Sequence, residues 1–227
     1  LNWIRQRAEH IPLQQLTGEQ DFMGLTFSVN EHVLIPRQDT EILVEEVLKE
    51  LHDGMRVLDM CTGSGCILLS LLHYSNDCEG LGVDLSAEAL EVAGRNVLKV
   101  LTPEKAEHAH FLQSDLFEKV EGKFEIIVSN PPYIASAEVE KLMPEVRDHE
   151  PRMALDGTED GLYFYRRIIE EAGKHLVSSG MLFFEIGYDQ GQAVSELMRT
   201  EGYCEVQVVQ DYAGLDRVVL GTYCERN

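Results

Sequence analysis

The chain has 227 residues, 44% apolar and 26% charged, and no apolar run approaches the roughly 20 residues a membrane helix needs. Disordered, collagen-like and low-complexity classes are excluded, and one α/β-sized domain with a small appendage is expected. The formal net charge of −21 repels phosphate backbones, so a basic protein partner fits better than nucleic acid.

Leu1-Asn2-Trp3-Ile4-Arg5 has no apolar run behind its charge, so no signal peptide is expected and a cytoplasmic location is. The chain starts without Met, as a fragment or processed product would. Five cysteines fall at positions 61, 66, 78, 204 and 224 with no CxxC pair. An odd count without that spacing argues against a zinc site and against a disulfide scaffold. Unreactive thiols in a reducing compartment are expected, and no metal site.

Residues 3–17 read as a helix end followed by a polar connection. Phe22 to Val29 alternates around Gly24, as a short hairpin does. Leu43, Val44, Val47, Leu48 and Leu51 recur at helical spacing. Met55–Asp59 is a short buried strand. A Gly-rich turn follows, then a helix through Ile67, Leu68, Leu71 and Leu72. Gly80–Asp84 is the second strand, and Ser86 suits the cap of the next helix. Ala109–Leu112 and Phe124–Ser129 are the third and fourth strands.

A long proline-containing segment runs from Pro131 to Asp160. A helix over Gly161–Leu176, a strand over Gly180–Ile186 and a helix over Ala193–Thr200 come next. Two late strands, near Cys204–Val209 and Arg217–Tyr223, are expected to pair as an antiparallel hairpin. Such βα alternation predicts a mostly parallel sheet with helices on both faces. Ligands in such sheets bind beyond the carboxyl ends of the strands, and the motifs below all fall there.

Asp59-Met60-Cys61-Thr62-Gly63-Ser64-Gly65 leaves the first strand and enters a helix. Its glycines let backbone approach a ligand, and the helix start offers free N–H groups. A tight strand–helix turn is the plainer reading of this loop alone. Asp84, at the end of the second strand, is placed to accept hydrogen bonds from two ribose hydroxyls. That geometry serves NAD and S-adenosylmethionine alike. Asp59 orients the loop, holds a ligand ammonium or is purely structural. Gln113 to Phe117 ends the third strand, with an acid and apolar groups suited to an adenine pocket.

Ser129-Asn130-Pro131-Pro132-Tyr133-Ile134 ends the fourth strand. Two prolines fix φ twice and restrict Asn130 as well. The stiff turn offers the Asn130 side-chain oxygen and the Pro131 carbonyl as acceptors for a planar amino group. With both hydrogens held, the nitrogen lone pair can face a methyl donor. Tyr133 suits packing on the flat group.

Together, Asp59–Gly65, Asp84 and Asn130–Tyr133 resemble a class I S-adenosylmethionine-dependent methyltransferase acting on a planar amino nitrogen. Flanking segments narrow this to the HemK/PrmC family. They are Pro12–Gln20 with Phe22 and Gly24, Ile35–Glu41, and His149-Glu150-Pro151 with Ala154-Leu155. Asp160-Gly161-Leu162, Glu185-Ile186-Gly187 and Asp216-Arg217 also fit. The resemblance implies a Rossmann-like sandwich with a seven-stranded, mostly parallel sheet and an antiparallel C-terminal hairpin. It implies methylation of the glutamine amide in the Gly-Gly-Gln loop of peptide-chain release factors, with S-adenosylmethionine as donor.

It implies cofactor contacts at Asp59, Cys61, Thr62, Gly63, Ser64, Gly65, Asp84, Leu116 and Asn130. Substrate contacts fall on Asn130, Pro131, Pro132 and Tyr133, with Asn130, Pro131 and Tyr133 catalytic. Residues 1–35 are then a linker helix end and hairpin, 36–227 the methyltransferase domain, and the family's N-terminal helical domain is absent. The family carries Gly where Cys61 stands. Arg37 and Glu41 suggest either a substrate entrance or an ion pair. His149 and Glu150 suggest structural or docking roles. The rivals are a ribosomal-protein glutamine methyltransferase, an adenine-N methyltransferase on nucleic acid, an inactive cofactor-binding module and an NAD oxidoreductase. The last leaves Asn130 without a role.

Overall fold

The computed structural model describes residues 2–224; Leu1 and residues 225–227 lie outside the described part. Two short helices, α1 (Asn2–Ala8) and α2 (Leu13–Thr17), precede a hairpin, β1 (Glu19–Phe22) and β2 (Leu25–Ser28). Then follow α3 (Asp39–Glu50), β3 (Arg56–Met60), α4 (Cys66–Tyr74), β4 (Glu79–Asp84), α5 (Ala87–Val100), α6 (Pro103–Ala106) and β5 (Ala109–Gln113). β6 (Phe124–Ser129) leads into α7 (Ser136–Val139) and α8 (Pro144–Arg147). The chain closes with α9 (Tyr163–Ala172), β7 (Leu176–Glu185), α10 (Gly191–Thr200), β8 (Tyr203–Gln210) and β9 (Asp216–Tyr223). Among the described residues, no helix is long and apolar enough to cross a membrane.

The main sheet has seven strands in the order β5-β4-β3-β6-β7-β9-β8. β3 to β7 run parallel, whereas β9 is antiparallel to both β7 and β8. This is the expected Rossmann-like class I arrangement, and the late hairpin forms as predicted. The first hairpin starts earlier than its apolar pattern suggests, at Glu19, and turns at Met23-Gly24. β7 likewise begins at Leu176 rather than Gly180, with an irregular register opposite Phe124 and Ile126.

Period-two alternation sends successive side chains of β3 to opposite faces. Val57 packs with α3 and α4 residues such as Leu43 and Leu68, whereas Leu58 and Met60 pack with Tyr165 and Ile168 of α9. The small hairpin shares the first of these clusters, because Phe22 and Phe27 are fully buried in it. Asn96 of α5 holds the hairpin in place. Its side chain accepts from Ser28 N at 2.7 Å and donates to Ser28 O at 3.1 Å and to Ser64 O at 2.9 Å. One buried amide thus joins the hairpin to the turn after β3.

The cysteines depart from the expectation of unpaired thiols. Cys61, Cys66 and Cys78 are free, but Cys204 and Cys224 form a disulfide, with Cα atoms 6.0 Å apart. The β8–β9 register brings them together, pairing Cys204 with Thr222 and Tyr203 with Tyr223.

Candidate active site

The sheet order reverses between β3 and β6, so the loops leaving these strands part and open a crevice at their carboxyl ends. Register sets the height of every motif there. Met60 lies opposite Val83 on one side and Ser129 on the other. Cys61, Asp84 and Asn130 therefore leave their strands at one level, although they are far apart in sequence. A cleft of about 220 Å³ occupies this edge. Its walls include Thr62 to Ser64, Asp84 and Leu116 from the first half of the sheet, and Asn130 and Pro132 from the second.

The Gly-rich turn is held from below. Asp84 Oδ2 accepts from Gly63 N at 2.9 Å, and Asp84 Oδ1 accepts from Ser86 N at 2.9 Å. The same carboxylate thus ties the turn after β3 to the start of α5. Burial pushes its pKa up, and the N–H groups of Ser86 and Gly63 oppose that shift. Gly63 and Gly65 have φ of 53° and 78°, in the left-handed region that favours glycine. A side-chain carbon at Gly63 would meet open space, so backbone alone faces the cleft there.

Asp59 is completely buried beneath the turn. Thr62 Oγ1 donates to Asp59 Oδ2 at 2.6 Å, whereas Asp59 Oδ1 is buried with no hydrogen-bond partner among the described residues. Desolvation pushes the carboxyl pKa up to about 7.

Cys61 occupies the same turn with φ of 64°. An L side chain is strained in that left-handed conformation, which glycine adopts freely. Burial and the Asp84 and Asp59 carboxylates raise its thiol pKa, so it is a poor nucleophile. Cys61→Gly is expected to stabilise the fold by roughly 0.5–1 kcal/mol, since relief of left-handed strain exceeds the entropy cost of glycine. Thermal melts and calorimetry with S-adenosylmethionine check this. A stability loss, or weaker cofactor binding, would show that the side chain contributes to the turn.

The Asn130–Tyr133 turn follows β6. Asn130 Nδ2 donates to Thr40 Oγ1 at 3.4 Å, which leaves the amide oxygen unused. Among the described residues, no group donates to Asn130 Oδ1 or to the Pro131 carbonyl. Asn130 and Pro132 line the cleft; Pro131 and Tyr133 do not. Tyr133 instead sends its hydroxyl to Glu185 Oε1 at 3.2 Å. Ser129↔Phe184 pairing puts Glu185 beside Asn130, and Glu185↔Val218 pairing brings Arg217 close to Glu185 from the other side. Glu185 is fully buried, and desolvation raises its pKa against the lowering effects of Thr40, Arg217 and Tyr133.

Sequence reasoning named Glu185 only as part of a resembling segment. Its signal was an acid ending the apolar run Met181-Leu182-Phe183-Phe184. Arg37 and Glu41 do not pair. Arg37 bonds the buried Glu150, which also accepts from Ile35 N at 3.0 Å. Glu41 caps the first hairpin by accepting from Met23 N at 2.6 Å. His149 holds the N-terminal segment, with its ring Nε2 3.0 Å from Glu9 O and its carbonyl accepting from Gln15 at 2.7 Å. Asp115 is taken up by Arg167 at 2.9 Å.

Residues 37–146 match the family model described as methyltransferase small domain. A release factor glutamine methyltransferase from Clostridium acetobutylicum is 44% identical over 223 residues, covering 96% of this chain and 78% of that protein. The chain belongs to the release factor glutamine methyltransferase family. A solved member from Alicyclobacillus acidocaldarius, described as a protein-(glutamine-N5) methyltransferase (release factor-specific), superposes with a TM-score of 0.50. It is 30% identical and covers 88% of this chain and all of its own. A methyltransferase from Pyrococcus furiosus, 17% identical with a TM-score of 0.64 over 97% of this chain and 99% of its own, shows the same fold.

The cleft suits the family's methyl donor chemically. A carboxylate anchored by backbone N–H groups and glycine backbone bordering open space, both lining the cleft, are what a nucleoside joined to an amino acid needs.

Proposed function

We propose that this enzyme transfers a methyl group from S-adenosylmethionine to the side-chain amide nitrogen of the glutamine in the Gly-Gly-Gln motif of peptide-chain release factors. The observation that carries this reading is the pair of unused acceptors, Asn130 Oδ1 and Pro131 O, in a turn whose first residue, Asn130, lines the cleft level with the Gly-rich turn. Asp84 would hold the ribose, Thr62 to Gly65 the amino-acid end and Leu116 the adenine. Cys61, Asp59 and Asn130 would complete the cofactor contacts. When bound, S-adenosylmethionine supplies an electrophilic methyl group.

A carboxamide nitrogen is a weak nucleophile, because its lone pair is delocalised into the carbonyl. Two acceptors that pin its hydrogens fix the direction of the lone pair and favour positive charge growing on nitrogen. Pro131 and Pro132 keep the turn stiff, so the acceptors are in place before substrate arrives. Tyr133 supports the turn from the Glu185 side through its hydroxyl. Once methylated, the nitrogen is cationic and strongly acidic, so its proton passes to water after the transfer and no strong base is needed. The methyltransferase domain is residues 36–227, with 1–35 as linker and hairpin. The net charge of −21 supports a protein substrate over direct nucleic-acid binding.

Incubation with labelled S-adenosylmethionine and an unmodified release factor, followed by peptide mapping, tests the reading. Label on the Gly-Gly-Gln glutamine is expected. Label on another residue, or none while calorimetry shows bound cofactor, would reject this substrate.

A further inference from the structure

The proline pair creates a problem for its own turn. Pro131 and Pro132 have no N–H, so over two residues the chain can donate no backbone hydrogen bond. Its acceptors at Asn130 and Pro131 are useful only while unbonded. The turn must be fastened further along, and the structure shows where. Gln190, between β7 and α10, donates from Nε2 to Tyr133 O at 3.0 Å and to Gly161 O at 3.4 Å. Its Oε1 accepts from Gly187 N at 2.9 Å and lies 3.4 Å from Tyr165 Oη, whose proton goes to Glu185 O at 2.9 Å. One amide uses both ends to connect the turn, the Gly161 bend and the end of β7.

The neighbouring backbone is fitted to this contact. Gly161 has φ of 73°, and a side-chain carbon there would lie 2.3 Å from Tyr133 O and 2.8 Å from Gln190 Nε2. A side-chain carbon at Gly157 would lie 2.8 Å from Tyr133 Cα and 2.9 Å from Pro132 O. Ile134 N donates to Leu155 O at 3.0 Å, and Gly157 N donates to Ile134 O at 2.8 Å. Two glycines thus let residues 155–161 lie directly against the turn, and Gln190 fastens the pair.

We propose that Gln190 is a positioning residue: by donating to the Tyr133 carbonyl it holds the Asn130–Pro131 acceptors at their working place. The proposal rests on the reading of that turn as the substrate amide site. Gln190 does not line the cleft, so its effect belongs to turnover rather than to cofactor binding.

Gln190→Glu is the discriminating variant. It keeps size and the acceptor for Gly187 but loses the donor and opposes the Tyr133 carbonyl with charge. With release factor as substrate, kcat is expected to fall about 10- to 100-fold, because small displacements of reacting groups are costly in rate. Cofactor affinity by calorimetry is expected within about two-fold of the parent, as the turn after β3 is untouched. Lower pH protonates the introduced carboxyl and restores an O–H donor, so the deficit should shrink as pH falls. Gln190→Met, which lacks both ends, should lose kcat at every pH. A parent-like kcat in Gln190→Glu, with Asn130→Ala inactive, would overturn the positioning role and spare the site. A Gln190→Glu deficit confined to melting temperature, with kcat per folded molecule unchanged, would also overturn it. Full turnover in Asn130→Ala would instead remove the reading beneath it.

Discussion

Asn130→Ala is expected to reduce kcat on the order of 10²- to 10³-fold, the usual cost of deleting one preorganised partner of a developing charge. The variant loses Oδ1, the acceptor proposed for the substrate amide, and Nδ2, the donor to Thr40. Affinity for S-adenosylmethionine should change only a few-fold, because Asp84 and the turn after β3 do not depend on Asn130. The fold should persist, since Asn130 follows the end of β6 and its only side-chain partner among the described residues is Thr40. Single-turnover kinetics with release factor, alongside calorimetry with cofactor, separate the two effects. Near-normal turnover would remove the amide-acceptor mechanism. A parallel collapse of cofactor affinity would make Asn130 a cofactor ligand first.

The second large effect is on stability. Asp59→Asn is expected to stabilise the cofactor-free protein near pH 8 by about 1–3 kcal/mol and to do nothing of the kind near pH 4. Burial raises the Asp59 pKa from 3.8 to about 7. Unfolded, the group ionises as pH passes its ordinary value; folded, it keeps its proton until about 7. The unfolded state therefore releases its proton first, and stability declines as pH rises across that interval. Below the ordinary carboxylate pKa both states are protonated and nothing is lost.

A shift of that size corresponds to an upper bound of roughly 4 kcal/mol at neutral pH. The amide removes the buried charge and still accepts from Thr62. Its NH₂, at the place of the unpartnered Oδ1, costs part of the gain, about 1–3 kcal/mol. Denaturant melts of both proteins across this pH range give the answer. Parallel curves would mean that Asp59 ionises normally in the folded chain. Retaining such a costly acid beneath the ligand turn is what a binding role predicts, because sites are where stability is given up.

Much of this molecule was legible before its structure. The strand-to-turn transitions at Asp59, Asp84 and Asn130 announce themselves through local chemistry: apolar runs, then an acid, glycines or prolines. Parallel βα topology then gathers such ends at one edge, so motifs distant in sequence were assignable to one crevice. Other features were not legible for a common reason. A side chain's partner is a property of packing, and composition does not report it. Arg37 found the buried Glu150 rather than Glu41 because Ile35–Arg37 runs over the segment after α8, while Glu41 turns to the hairpin. Cys204 and Cys224 met because of an antiparallel register.

The sequence by itself determined the parallel sheet, the Gly-rich turn and the stiff Asn130–Tyr133 turn, since each is written in residues adjacent along the chain and governed by local φ restrictions and periodicity. Only the tertiary structure decided how that turn is held. Tyr133 gives its hydroxyl to a buried Glu185, and Gln190, 57 positions further on, fastens its carbonyl. Proline had already removed the donors with which the turn would otherwise have held itself, so the support had to come from strands and helices brought alongside by the fold.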